Sequence, residues 1–522
     1  YLYQNELLMK YIYGLALFAC IVLWSSCRND FETIPSTGNL EFSRDTVYLD
    51  TVFTNIGSST YNLKVYNNSN EDINIPSLKL NQGDASNYRL NVDGIPGKVF
   101  NDVQILSKDS IFIFIETTFD INNTPGGGDN FLYTDQILFD GGGSQQKVEL
   151  VTLVQDAVFL FPADLGNGMF ETLNLGTDED PTLIEGFFLD DTELTFTNEK
   201  PYVIYGYAAV GAGKTLTVEA GARVHFHRDS GILVGNTGSI KANGAPSLNL
   251  DLLENQIIFE GDRLEPDFSD IPGQWGALWL TQGSTNNEFS YATIKNSSVG
   301  ILMDSNDGNE TLTLKNVQLY NNAISGLLAR TGNVYGENVV INNSGQNSLS
   351  LALGGTYTFN HCTFGNYWTN SFRSFPTVQI QNFLQVSETQ AAVANLNASF
   401  TNCIIYGNEQ KELGLSRVDD PAVAFNVNFT NSLIRFQDPN GDFTDNPLYD
   451  FENSALFTDI LLNEDPFFQD ARNNNFNIEL GSSAAEGIGK SGIAPLLDLN
   501  NTPRSTTAPA SGAYESVEFP DL

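Results

Sequence analysis

The sequence predicts an all-β protein in which a β-sandwich is followed by a parallel β-helix, and three observations predict it. A short phrase recurs, an Asn or a residue in its place, with an aliphatic residue or Phe three positions on. It reads Tyr291-Ala-Thr-Ile294, Asn316-Val-Gln-Leu319, Asn338-Val-Val-Ile341, His361-Cys-Thr-Phe364, Asn402-Cys-Ile-Ile405 and Asn431-Ser-Leu-Ile434. Its starts lie 25 (291 to 316), 22 (316 to 338), 23 (338 to 361), 41 (361 to 402) and 29 (402 to 431) residues apart, and a period of this size marks stacked repeats. Very short apolar runs upstream, Thr215-Leu-Thr-Val218, Arg223-Val-His-Phe226, Gly231-Ile-Leu-Val234 and Ser239-Ile-Lys-Ala242, are separated by Gly and turn residues. Composition agrees: 45 Gly, 36 Phe and 20 Tyr against 25 Lys and Arg favour strands and tight turns over helices.

In chain order, the first element is an address. Met9-Lys10, the apolar stretch Tyr11 to Leu23 and Trp24-Ser25-Ser26-Cys27 give a basic start, a hydrophobic run and small residues before a Cys. This resembles a bacterial lipoprotein signal, with residues 1–27 as signal peptide and Cys27 as the lipidation site; a plain secretory peptide or signal anchor is the alternative. The resemblance implies a protein held on the outer membrane through its N-terminal lipid, stable when more than one acyl chain is attached. Asn29, Asp30 and Glu32 resemble the acidic export tag of surface-displayed lipoproteins, which implies the cell surface.

Residues 28–155 read as an independent β-domain. Asp45–Phe53, Tyr61–Asn67 and Ser110–Phe119 alternate or run apolar over strand lengths, separated by Asn, Gly, Ser and Asp. Several such strands imply a sandwich. The order Thr51-Val-Phe-Thr, Gly57-Ser58 and Leu63-Lys-Val-Tyr-Asn-Asn resembles the immunoglobulin-like modules that precede β-helices in bacterial surface proteins. The glycine triplets 126–128 and 141–143 lack the Lys-Ser/Thr ending of a phosphate loop and read as hairpin turns.

Residues 156–199 read as a connector. From 200 to 455 one strand of each repeat stacks on the next, burying a continuous apolar column. Pro272-Gly-Gln-Trp275-Gly-Ala-Leu-Trp279, Asn286-Asn-Glu-Phe-Ser-Tyr291 and Gly300-Ile301 resemble a right-handed β-helix coil of the pectate-lyase-like superfamily, and both tryptophans then fall on core positions. A stack exposes its core at the last repeat. Glu464-Asp-Pro-Phe467, Asn475-Phe-Asn-Ile478, Thr502-Pro-Arg504 and Gly512-Ala-Tyr-Glu515 resemble the closing segment of that family, so 456–522 is expected to cover that end.

The phrase's fourth position, and the small or sulfur residue at its second, are expected to face the core, with the Asn bonding turn backbone. Cys362 and Cys403 both take that second position, as buried free thiols or, if their repeats are neighbours, as a disulfide; Val317 and Val339 at the same place favour thiols.

Net charge excludes some functions. With 63 acidic against 25 basic residues and a formal charge of -38, binding to nucleic acid or to an anionic membrane surface is disfavoured. Catalytic signals are sparse. Glycosidases need two or three carboxylates around the scissile bond; Asp190-Asp191 and Asp419-Asp420 are adjacent, and adjacent strand residues face opposite ways. The Gly-His-Gly and Arg-x-Lys motifs of polygalacturonase-like families are absent. A polysaccharide lyase would draw its base from Lys295, Arg330 or Arg373. His225 and His227 are expected to point outward together, a spacing that can share a Zn²⁺ but lacks a third ligand. Asp304-Ser-Asn-Asp307-Gly-Asn-Glu310 and Asp438-Pro-Asn-Gly-Asp442 resemble acidic turns able to hold Ca²⁺, although neither has EF-hand spacing and plain turns are favoured, so no cofactor is expected.

Binding is the stronger expectation. The 41-residue step carries Tyr367-Trp368-Thr-Asn-Ser-Phe372, and long loops on a rigid stack are where binding residues gather. Tyr367, Trp368 and Phe372 are the candidate binding residues for a glycan or a protein; the alternative is that Trp368 packs its own loop. The sequence favours a non-catalytic surface scaffold, with a lyase or hydrolase acting on acidic glycans as the second reading.

Overall fold

The computed structural model describes residues 32–124, 128–140, 144–177, 179–249, 252–304, 311–387 and 390–520. The signal stretch and Cys27 lie outside the described residues. These contain strands and five short 3₁₀ turns but no α-helix, so the protein is all-β. The chain divides into two compact units, Tyr1–Gln155 and Asp156–Leu522.

In the first unit two sheets share one core. One sheet runs in the order Ile34–Pro35, Ile73–Leu80, Asn130–Asp140, Gln145–Gln155, Thr46–Phe53, with Val99–Ile105 also paired to Ile73–Leu80; the other runs Glu41–Phe42, Tyr61–Tyr66, Ser110–Thr117, Tyr88–Val92, Ile95–Gly97. Alternation decides which side chains enter the core: in Ser110–Thr117, Ile111, Ile113 and Ile115 are buried while Phe112 and Phe114 are exposed. They meet Val47, Leu63, Ile137 and Leu150 from the facing strands. Asn130–Asp140 and Gln145–Gln155 pair antiparallel as expected of a hairpin; residues 125–127 and 141–143 lie outside the described set.

The second unit is built on a 19-stranded and a 10-stranded sheet whose stacked strands run parallel. A repeat gives two strands to the first, or one long one as in Asn287–Lys295 and Leu312–Asn322, and one to the second; Thr215–Val218, Arg223–Phe226 and Gly231–Val234 show the pattern. The stretch read as a connector takes part, since Val158–Leu160 and Leu183–Phe188 pair into the two sheets. Stacking is in register, which aligns the phrase: Ile294, Leu319, Ile341, Phe364, Ile405 and Ile434 form one buried column. A second inward column places Phe359, Phe400, Phe429 and Phe457 in stacked succession at 5.3, 4.9 and 5.5 Å. Such pairs add about 0.5–1.5 kcal/mol each beyond the area they bury.

The phrase's first residue is explained by its backbone. Tyr291, Asn316, Asn338, His361, Asn402 and Asn431 all have φ between 45° and 56°, the left-handed region in which Asn and His are enriched. At Asn338, His361, Asn402 and Asn431 this bend separates two strands of the 19-stranded sheet, whereas Tyr291 and Asn316 lie inside the single long strands Asn287–Lys295 and Leu312–Asn322. The amides also bond one another between repeats: Asn338 Nδ2 donates to Asn316 Oδ1 (2.8 Å), and Asn343 Nδ2 donates to Asn321 Oδ1 (3.1 Å).

Of the expected closing segment 456–522, only the start lies at the end of the stack, where Phe457–Thr458 and Leu461–Leu462 are the last strands of the 19-stranded sheet and Phe457 joins its core. That end is filled by Phe436, Phe443, Tyr449 and Phe451, with rings 4.6–5.6 Å apart, Phe451 lying 4.7 Å from Phe457. Residues 464–515 instead run back along the outer face of the 19-stranded sheet. Phe476, Leu499 and Tyr514 pack on Tyr320 and Val340, while Ile478, Ala485 and Ala510 pack on Ile404 and Leu433. The phrase's asparagines hold the segment: Asn338 Oδ1 accepts from Arg504 (2.7 Å), Asn402 exchanges bonds with the Lys490 backbone (2.7 and 2.9 Å), and Asn431 donates to Ile488 O (2.8 Å). From 464 onward the segment does not serve as a cap, because its apolar residues are spent on an outer face that would otherwise expose Val340, Ile404 and Leu433.

Candidate functional site: a groove under the closing segment

The loop opened by the longest step is rigid at its base. Arg373, with its side chain 1% exposed, donates bidentately to Glu412 (2.8 and 3.0 Å), and also to Asn366 O (3.0 Å) and Asn408 Oδ1 (2.7 Å). Glu412 in turn accepts from Thr377 Oγ1 (2.7 Å) and the Glu409 backbone (2.7 Å). Multiple hydrogen bonds are the condition under which a buried ion pair is tolerated.

Above that base the three expected binding residues part. Trp368 is buried and its Nε1 donates to Ser371 Oγ (2.9 Å), so it packs its own loop. Tyr367 lies edge-on to Phe468 (6.3 Å) and near Phe476 (6.1 Å), and burial pushes its hydroxyl up. Phe372 is 90% exposed. Tyr367 and Trp368 both line a groove between the repeats and the closing segment; Phe372 stands outside it.

Three sections follow one another along the groove. The first, about 350 Å³, has Thr293, Lys295, Gln318 and Tyr320 on the sheet face and Asn501 and Tyr514 opposite. The second is narrow, about 210 Å³, between Asn321 and Asn343 of the amide ladder, Trp368 and Asn370 of the loop, and Asn473. The third, about 590 Å³, lies among Tyr367, Arg435, Phe467, Phe468 and Arg472. Asp270 and Asn474 border the first two sections, and Thr369 and Arg472 border the last two, so neighbouring sections share wall residues. Thr293 Oγ1 is buried there without a hydrogen-bond partner. The walls thus place amide donors and acceptors beside aromatic rings on fixed backbone.

The other candidates are accounted for individually. Lys295 is paired with Glu260 (2.9 Å) and Arg330 with Asp304, and with Arg373 engaged none of the three proposed bases is an unpaired cation. Burial pushes Glu260 up, but His225, Lys295 and Arg223 together hold it below its usual range. The two histidines do not point outward as a pair. His225 is buried with Nδ1 3.1 Å from Gly261 O, whereas His227 lies beyond the strand end with Nδ1 2.7 Å from Asp262 and its ring on Tyr205 (4.4 Å). The hydrogen bond to Asp262 raises the His227 pKa. Among the described residues no three His, Cys, Asp or Glu side chains form a metal-binding group. Asp190 and Asp420 accept backbone bonds within their own turns. Lys411 sits between Asp438 and Asp442, 3.1 Å from each, and of the other acidic turn residues 305–310 lie outside the described set. Cys362 and Cys403 are buried free thiols.

Trp275 is in the core as expected, but Trp279 is not. Ala277 and Leu278 are both buried, so alternation slips by one and turns Trp279 outward, where its Nε1 donates to Asp304 (2.7 Å). It lines a separate cavity of about 620 Å³ with Phe188 and Leu233. The sequence signal that could have revealed this is the Gly276-Ala277-Leu278 run, which has no polar residue to mark the outer face.

No family model matches the chain, and no curated protein is significantly similar in sequence. Among solved structures, the chain resembles a family 123 glycoside hydrolase from Clostridium perfringens at 11% identity and a TM-score of 0.16, over 23% of this chain and 26% of that one. It also resembles a PapD-like domain of human CEP192 at 13% identity and a TM-score of 0.15, over 25% of this chain and 94% of that one. The chain thus spans about a quarter of the hydrolase it matches.

Proposed function

We propose that this protein is a lipid-anchored cell-surface scaffold, an immunoglobulin-like sandwich followed by a right-handed parallel β-helix, whose groove under the closing segment binds a glycan without cleaving it. The anchor reading rests on the Met9-to-Cys27 pattern. The β-helix reading is supported by repeats that give two strands, or one long one, to one parallel sheet and one to another, in register. The observation that carries the function is the row of neighbouring cavities under the closing segment, whose walls hold both side-chain amides and aromatic rings. Sugars present hydroxyls around a ring with apolar C–H faces, so a few oriented polar groups beside apolar walls match them. A net charge of -38 argues against a dense polyanion as the ligand.

The test is to incubate purified residues 28–522 with a panel of neutral and acidic polysaccharides, scoring retention and chain cleavage. Retention without cleavage, lost in Asn370→Ala, is the expected outcome. Cleavage of any member would establish the lyase or hydrolase reading instead.

A further inference from the structure

The third section of the groove contains a charge arrangement that neutral sugar binding does not use. Arg435 and Arg472 both line it. Among the described residues neither is in an ion pair, although the chain has 63 acidic residues against 25 basic ones. Arg435 donates to Gly407 O (2.9 Å) and lies over the Tyr406 ring (5.3 Å), and its Nε is buried without a partner. Two carboxylates, Asp465 and Asp470, line the same section, each bonded within its own turn of the closing segment and neither ion-paired with the arginines. Asp465 accepts from the Phe467 backbone (2.8 Å), and Asp470 accepts from the backbone and side chain of Asn473 (3.4 and 2.7 Å).

An aromatic residue at the rim is a second, independent observation. Phe467 is 44% exposed and its backbone has φ of 45°. A bulky side chain is disfavoured in that left-handed conformation, which Gly or Asn adopts readily, and strain of this kind gathers at ligand sites. Phe467 and Tyr367 therefore offer ring faces beside two guanidinium groups. Guanidinium is the side chain best matched to planar or tetrahedral oxyanions.

We infer that this section takes a sugar ring bearing a single anionic substituent, a carboxylate, sulfate or phosphate, held by Arg435 and Arg472 with the ring against Phe467. The inference rests on the glycan-binding reading of the groove and specifies its ligand class. One substituent, rather than a charged polymer, is what a cavity of about 590 Å³ in a strongly acidic protein admits.

The test measures affinity for oligosaccharides matched in backbone and carrying a terminal carboxylate, sulfate, phosphate or no charge. The protein is compared with Arg472→Gln, an exposed substitution that spares the core, and with Phe467→Gly, which removes the ring and relieves the backbone. At least one anionic member is expected to bind about tenfold tighter than its neutral partner. Arg472→Gln should abolish that preference, bringing the anionic members to the affinity of the neutral one, Phe467→Gly should weaken every member, and the order among the three anions identifies the substituent. Equal binding of charged and neutral members, or a preference that survives Arg472→Gln, overturns this inference and leaves the groove reading intact. Failure of every oligosaccharide to bind overturns both.

Discussion

The two parallel sheets of the second unit differ in what covers their outer faces. On the 19-stranded sheet, Val340, Ile404 and Leu433 are sealed by the closing segment, and polar groups gather where that segment lifts away. On the 10-stranded sheet, the outward column Leu233, Trp279, Leu302 and Leu328 is apolar, with Trp279, Leu302 and Leu328 only partly buried. The first face owes its cover to asparagines that bond the closing segment; among the described residues the outward column of the second has none. A repeating turn residue thus does two jobs: it bends the chain, and it supplies the bonds that dock a segment 57 to 166 residues further on. The groove is a by-product of that docking, which ties its shape to the stability of the segment.

Five substitutions break or sharpen this contrast. The largest effect is expected from Glu412→Ala, which strands the buried Arg373 guanidinium. A loss of about 3–5 kcal/mol in denaturant unfolding is expected, with the 367–377 loop becoming protease-sensitive. Next is Arg504→Ala, which removes bonds to Asn338, Gly512 and Glu515. It should cost about 2–4 kcal/mol, and hydrogen exchange should show the loss in 485–515 while the 10-stranded sheet stays protected.

The third concerns pH. Burial and the Arg504 charge push the His361 imidazole down to about 3, so the folded protein holds it neutral, with Nε2 accepting from Asn402 (2.9 Å). A depressed histidine contributes stability that is present above its unfolded value of 6.5 and lost as pH falls towards 3. Burial raises Asp498 and Glu515 in the same cluster; their contributions have the opposite sign, present at low pH and lost as pH rises through the folded values. His361→Asn, which keeps a residue suited to the left-handed bend, should remove about 2–3 kcal/mol of the loss between pH 7 and 4. An unchanged acid limb would show that His361 is not the group responsible. The smallest effect is expected from Cys362→Val and Cys403→Val, less than about 1.5 kcal/mol each, because Val317 and Val339 already occupy that position in neighbouring repeats.

What was legible in the sequence was whatever repeats. In-register stacking forces one residue type into one column, so the fourth position of the phrase announced itself from Ile294 to Ile434. The left-handed first position was visible as Asn and His, although Tyr291 shares the conformation without the signal. Features formed once were hidden. Arg504 meets Asn338 across 166 residues, and nothing local marks that pairing. The slip at Ala277-Leu278 reverses the face of Trp279, which strict alternation places inward. Among the aromatics, Phe372 stood out because it lies in the longest step, whereas Phe467 looks like part of an Asp-Pro turn until its exposure and φ are known. Of the groove, the sequence located one wall, Tyr367 and Trp368; the opposite wall comes from the segment expected to cap the stack.

The central claim is that ligand binds under the closing segment and not on the bare face of the other sheet. The direct measurement is hydrogen exchange on residues 28–522 with and without a retained oligosaccharide. Added protection confined to 367–372, 465–474 and 499–501 is the expected result. Protection centred on 173–188 and 233–236 instead, around Trp279, would contradict the account.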